Sequence, residues 1–169
     1  MSIVVRPAEL GDVPGLARVH VEGWRETYRG QMPDEVLDDP TFVERRERFW
    51  TAVISDDRPG ANRRAATAIL DGKVVGAALA GAPTDDDATW PQQLYVLYTY
   101  AAVHGQGGGA ALLAEVIDLD APAALWVADP NPRAQAFYRK HGFEADGVSK
   151  VDDGVREIRM VSPSPLSRS

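Results

Sequence analysis

The 169-residue chain reads as one α/β domain, and three observations carry that reading. Short β-branched or apolar runs alternate with stretches whose apolar residues recur at helical spacing. Asp71-Gly72 directly joins two β-type runs, and such a pair favours the tight hairpin turn that needs positive φ at both positions. "QLYVLYTYAA", residues 93–102, is apolar or aromatic at nearly every position, as a central strand covered on both faces requires. Residues 1–162 are assigned to this domain, and 163–169, too rich in Ser and Pro to pack, to a flexible tail.

The elements follow in order. "SIVVR", closed by Pro7, is a first strand. From Asp12, placed to cap, the residues Val13, Leu16, Ala17, Val19 and His20 carry a helix to about Tyr28. A second helix over 41–54 sets Phe42, Val43, Phe49, Trp50 and Val53 against the charged run Glu44 to Arg48, which makes it amphipathic. "RPGANRR" is a loop, "AATAIL" and "KVVGAALAGA" are the hairpin strands, and "PTDDDATWP" is a polar crossing to the central strand. Beyond a glycine-rich turn, Leu112, Leu113, Val116 and Ile117 share one helical side. "AALWVA" is a further strand. "NPRAQAFYRKHGF" is a helix with Asn131 as cap, Pro132 in its first turn, basic residues at its end and Gly142 as terminator. "VREIRMV" is the last strand, and no internal repeat is visible.

Composition excludes several classes. With 18 Lys plus Arg against 25 Asp plus Glu, the net charge of −7 repels a polyanionic backbone, which argues against a nucleic-acid partner and favours a cationic acceptor. The chain has no cysteine, so disulfides, thiolate metal sites and a cysteine nucleophile are out. No targeting segment opens the sequence and no apolar run is long enough to span a bilayer, so a cytoplasmic protein without a membrane partner is expected. His20, His104 and His141 share no metal-ligand spacing, so no metal is expected either.

"HGQGGGAALL", His104 to Leu113, places four glycines in six residues although each costs roughly 0.5–1 kcal/mol against Ala inside a regular element. Strand, bare turn and helix in that order suit an anion: unpaired amides point outward at the helix start, the dipole favours negative charge, and no β-carbon blocks approach. A flexible turn is the plain alternative. A P-loop needs Gly-Lys and then Ser or Thr, whereas Gly109 is followed by Ala110 and Ala111. The acidic residue of a dinucleotide fold is due near Ala128 and Asp129, where "PNPRA" follows instead of a second parallel strand's end.

These residues resemble the GCN5-related N-acetyltransferases, the GNAT family. The family's loop for acetyl-coenzyme A has Gln or Arg, two residues, Gly, one residue, then Gly or Ala; "HGQGGG" is similar, with Gly107 and Gly109 in the glycine places and His104 where Gln or Arg is usual. "QLYVLYTY" resembles the family's fourth strand, "LWVADPNPRAQAFYRKHGF" its later signature, and "VRPAELGDVPGLARVHVEGWRETYRG" its opening strand and helices, so the likeness runs from about Ile3 to Val161. It implies a mixed, strongly twisted sheet of roughly six or seven strands with about four flanking helices, the fourth and fifth strands splaying apart. It implies acetyl-CoA as co-substrate: Gln106, Gly107, Gly108 and Gly109 offer amides to its pyrophosphate, with Gly105 and His104 in the same loop. Leu97 and Thr99 pair with its pantetheine like an added strand, and Asn131 touches it or orders water beside it. A homodimer is implied as well.

An acetyl thioester is already activated, so an amine held beside it attacks directly and no covalent enzyme intermediate is needed. The resemblance makes Tyr138 the residue that protonates the departing thiolate; the other reading is a phenol packed at the core's edge. Where many relatives carry a basic Glu, this chain has Gln92 and Gln93, which leaves a water chain, Glu26 or one of Asp85 to Asp87 to take the amine proton; a solvated loop is the other reading of that Asp run. Trp24 and Tyr28, one turn apart, either border the acceptor or pack in the core. The expected activity is N-acetylation of a small-molecule amine. A protein or peptide acetyltransferase and a non-catalytic acyl-CoA sensor are the alternatives.

Overall fold

The computed structural model describes residues 2–60 and 62–163, so the expected tail lies outside the described residues except for Pro163. Strand β1 (Val4–Pro7) passes through a short turn into helix α1 (Val13–Tyr28), followed by the one-turn α2 (Asp34–Leu37) and by α3 (Phe42–Ile54). Then come β2 (Arg64–Leu70), β3 (Lys73–Gly81), β4 (Gln92–Thr99), α4 (Gly108–Val116), β5 (Ala123–Ala128), α5 (Pro132–Lys140), β6 (Glu144–Asp152) and β7 (Val155–Ser162). The described strands form one seven-stranded sheet in the order β1-β2-β3-β4-β5-β7-β6, antiparallel except where β4 meets β5.

Helices cover both faces. Trp50, Leu16 and Val19 of α3 and α1 pack with Leu79 and Val96 on one face, while Leu112, Leu113 and Val116 of α4 pack with Leu125, Phe143 and Met160 on the other. Ala77, Ala78, Leu79 and Ala80 of β3 are each no more than 2% exposed, a mostly small-residue strand pressed from both sides. The first hairpin forms as its dipeptide predicts, with φ of 53° at Asp71 and 77° at Gly72.

Three expectations need correction. Asp12 does not cap α1: its carboxylate takes two hydrogen bonds from Arg6 at 2.7 and 2.9 Å, the Glu9 N–H at 2.8 Å and the Thr67 hydroxyl at 3.0 Å. It therefore ties β1 to β2 ahead of the helix. Sequence patterning also overlooked α2 and β6. Strand β6 is exposed along its whole length and has no alternating apolar face to reveal it; its ladder with β7, closed by Asp153-Gly154 at φ of 50° and 79°, holds it in place.

The third correction concerns β4, which is not buried on both faces throughout. It pairs with β5 only at Gln92↔Ala123, Gln93↔Ala124 and Leu94↔Leu125, and then the two strands part. Its other edge stays bonded to β3 as far as Thr99, so the upper half of β4 faces an opening with one edge unpaired. The splay that the resemblance implied is thus present, and the half-exposure of Leu97 to Thr99 follows from it.

Candidate active site

Where β4 and β5 part, a cleft of about 530 Å³ opens, lined by Leu97, Tyr98 and Thr99 of β4, by the turn from Val103 to Gly109, and by Asn131, Phe137 and Tyr138 of the α5 segment. Gly23, Glu26 and Thr27 of α1 close its far wall. Helix α1 can come this near because Gly23 is bare: a β-carbon there would collide with the Tyr98 ring.

The glycine turn is built for bare amides. Gly105 and Gly107 take φ of 84° and 86°, a region that L side chains avoid, and Gly107 is the N-cap of α4. The first helical bond runs from the Ala111 N–H to the Gly107 carbonyl at 3.1 Å. The N–H groups of Gly107, Gly108, Gly109 and Ala110 have no acceptor among the described residues, which leaves the positive end of the helix facing the cleft. Gln106 is the exception among the expected donors, because its N–H is committed to the Val103 carbonyl at 3.3 Å and it does not line the cleft. His104 Nε2 lies 3.3 Å from the Thr99 carbonyl and so braces the end of β4. Arg133 and Lys140 also line the cleft without a carboxylate partner among the described residues, giving an acidic chain a locally cationic groove. In the sequence Lys140 reads as one of the basic residues that close α5, and Arg133 as part of the later family signature with no separate role.

Tyr138 is 8% exposed and packs edge-on against Phe137 and Phe143 at 5.4 and 6.0 Å between ring centres. Its hydroxyl has no hydrogen-bond partner among the described residues, and burial pushes its pKa well above the usual 10.0. Asn131 caps α5 by accepting the Ala134 N–H at 3.3 Å, and it also lines the cleft.

Beyond Tyr98 lies an aromatic wall. Trp24 and Tyr28 pack on each other at 4.7 Å and do not line the cleft; they join Leu37, Ala128 and Val155 in a small cluster behind it. Burial, and then the nearby Glu157 and Asp152, push Tyr28 up to about 12. His20 stacks on Tyr98 at 5.6 Å and accepts the Trp50 indole N–H at Nδ1, 3.2 Å away. Burial first, then the charge of Arg46, push it down to about 3, so it is a neutral spacer.

With this geometry in hand, the comparison with known sequences is decisive: the profile of the acetyltransferase (GNAT) family matches residues 21–143. The chain belongs to the GNAT family. This GNAT protein is accordingly an acyl-CoA-dependent N-acetyltransferase with acetyl-CoA as co-substrate. It is 26% identical over 166 residues to the uncharacterized N-acetyltransferase YuaI of Bacillus subtilis, covering 90% of this chain and 91% of that one. A probable N-acetyltransferase of Mycobacterium tuberculosis is 25% identical over 150 residues, with 86% and 82% covered. The fold is similar to that of the PaiA N-acetyltransferase from Thermoplasma acidophilum, solved in complex with coenzyme A, with a TM-score of 0.75 at 20% identity over 96% of this chain and 99% of that chain.

The two glutamines that stand where many relatives of this GNAT protein carry Glu are structural. Gln92 bonds the Asp118 and Ala121 carbonyls at 2.7 and 3.2 Å, and Gln93 takes the Thr84 N–H and hydroxyl at 2.9 and 3.0 Å. Asp85 and Asp87 are engaged by Arg159 rather than turned to the cleft. Glu26 lines the cleft from the exposed side of α1. A further carboxylate that the sequence does not single out is Glu157 of β7, opposite Ala128 at the end of β5; it is half-buried, has no ion pair among the described residues and does not itself line the cleft. Its cross-strand neighbour Lys150 lies over the Trp126 ring instead, 4.2 Å from its centre. Burial raises the Glu157 pKa above the usual 4.5 against the pull of Lys150, and Asp152 adds to the rise. Nothing in "VREIRMV" marks it, because its setting comes from the β5–β7 ladder.

Among the described residues no three His, Asp or Glu side chains are grouped to hold a metal ion, and no helix is long and apolar enough to cross a membrane.

Proposed function

We propose that the protein carries the acetyl group of acetyl-CoA directly to the amine of a small molecule, with no covalent enzyme intermediate. The observation that carries this reading is the sharing of one cleft by four unclaimed amides, an unpaired strand edge and an unbonded phenol. The amides of Gly107 to Ala110, with Arg133 and Lys140, hold the pyrophosphate; the open edge of β4 at Leu97 and Thr99 holds pantetheine. Fixing thioester and amine together supplies up to roughly 7–11 kcal/mol of the barrier. The Tyr138 hydroxyl then donates to the sulfur as negative charge gathers there. A small acceptor is favoured because α1 crosses the far end of the cleft with Gly23, Glu26 and Thr27, where a peptide would need an open groove.

Glu157 takes the proton that the amine must lose. A carboxylate with a raised pKa and no partner is a better base than an exposed one. Glu157→Gln is expected to lower kcat/KM about 100-fold near neutral pH and less at alkaline pH, where the amine sheds its own proton. Raising a folded-state pKa favours the neutral carboxyl, so stability from this group falls as pH rises through that value; the Gln variant should melt no lower than the parent at neutral pH. An unaltered pH–rate profile would return the role to Glu26 or water.

Calorimetry with acetyl-CoA, followed by thiol release with a panel of polyamines, amino acids, aminoglycosides and peptides, tests the whole reading. Turnover of small amines supports it. Turnover of peptides alone points to a protein acetyltransferase, and tight binding without turnover to a sensor.

A further inference from the structure

Tyr98 and Tyr138 belong to opposite faces of the sheet, and the cleft joins them. Tyr138, Phe137 and Leu97 pack with the core under α4, whereas Tyr98 packs with the core under α1 and α3. All four line the same cleft, because the sheet is open between β4 and β5 beyond Leu94 and Leu125. The cleft therefore passes through the sheet. A pantetheine laid along the free edge of β4 brings its thioester into this gap. Tyr138 then lies on the sulfur side, and the Tyr98 ring on the side of α1, from which the amine arrives.

The Tyr98 ring has nowhere to retreat. His20 stacks on it at 5.6 Å between centres with the planes 30° apart, and Trp50 stands edge-on to His20 at 5.8 Å. His20 and Trp50 are 3% and 0% exposed, and the bond from the Trp50 indole N–H to His20 Nδ1 fixes their mutual orientation. From α1, Gly23 approaches so closely that an added β-carbon would lie 2.3 Å from Cδ1 and 2.5 Å from Cγ of the ring. Glycine is a poor residue for a helix interior, so its place in α1 answers to this contact. A wall packed to that density does not yield to an extra methylene, which must find its room in the cleft instead. Acetyl ends in a single methyl group. Each further carbon of the acyl chain reaches toward the ring, into the space that the attacking nitrogen needs.

We propose that Tyr98 sets the length of the acyl group that this enzyme transfers, admitting acetyl and excluding butyryl and longer chains. This rests on the acetyl-transfer reading above and names what selects its donor. The ring selects by its shape, and the hydroxyl has no part in the selection. Gly23 is a positioning residue that lets the ring lie back far enough for acetyl to fit.

The test is thiol release by the full chain at a saturating level of the amine that turns over fastest in the panel above, comparing acetyl-, propionyl- and butyryl-CoA. One methylene too many in a fixed pocket is worth roughly 10-fold, so the parent protein should favour acetyl- over butyryl-CoA by 10-fold or more in kcat/KM. Tyr98→Leu should cut that preference at least 5-fold, and Tyr98→Phe, which keeps the ring, should retain it. Gly23→Ala pushes the ring into the cleft and should deepen the penalty on propionyl-CoA at least 3-fold; it reads the same wall if Tyr98→Leu does not fold. A parent preference below 10-fold, or a preference unmoved in folded Tyr98→Leu or, failing that variant, in Gly23→Ala, overturns the proposal. Loss of the preference in Tyr98→Phe does so too, and so does a Tyr98→Leu effect confined to the KM of the amine, which would make Tyr98 a wall of the acceptor alone. No transfer from any donor while calorimetry still shows CoA binding would instead strike the acetyl-transfer reading, so the two failures are distinct.

Discussion

Tyr138→Phe is expected to lower kcat about 100-fold while leaving the affinity for acetyl-CoA unchanged. The substitution is clean because the hydroxyl bonds no described residue, and the ring contacts with Phe137 and Phe143 survive in full. Melting temperature should stay within a degree or so, since a change that removes no packing or hydrogen bond sits near zero. Burial keeps the phenol protonated far past neutrality, so this residue adds no descending limb to the pH profile. The same burial makes it a weak acid beside a thiol of pKa near 8.5; its contribution is a hydrogen bond to the forming thiolate, completed by solvent after release. Stopped-flow thiol detection at saturating acceptor measures it, and an unchanged kcat would strip Tyr138 of its role.

The largest loss of stability is expected from Arg159→Met. The side chain, 6% exposed, donates to Asp146 at 2.7 Å and to both oxygens of Asp87 at 2.7 and 2.9 Å, and lies 3.4 Å from Asp85. Trp90 and Trp126 flank it at 4.9 and 5.8 Å. Met preserves much of the volume and leaves Asp85 and Asp146, 19% and 26% exposed, without their cation, while Asp87, 64% exposed, returns to water, a loss of about 2 kcal/mol of hydrogen bonds to charged groups. For a chain of this length that corresponds to a fall of roughly 4–8 °C in Tm. Arg159 holds the Asp87 carboxyl below its usual 3.8, so the contribution is present above that value and lost as pH falls through the lower folded one. The gap between parent and variant should therefore persist at neutral pH and close in acid. Equal melting at pH 7 would show that the cluster is carried by its rings alone.

What could be read from the chain was what local chemistry determines. Asp71-Gly72 announced its hairpin, Asn131 and Pro132 announced α5, and the run after His104 announced the bare turn that starts α4. The same Asp-Gly signal at 153–154 went unused because "EADGVSKVD" before it has no apolar face, and only pairing with β7 makes it a strand. Asp12 looked like a cap because caps are judged from neighbours in sequence, whereas its partners Arg6 and Thr67 come from two strands. Glu157 was illegible for a further reason. What sets it apart is the absence of a partner among the described residues, and absence is a property of the packed molecule.

The parting of β4 and β5 after Leu94 leaves the middle of the sheet short of backbone partners until a ligand arrives. Cohesion of the two halves is then tied to metabolite supply: a ligand at a hundred times its dissociation constant adds about 2.7 kcal/mol to resistance against unfolding. The form with donor bound is accordingly expected to resist protease longer than the free form.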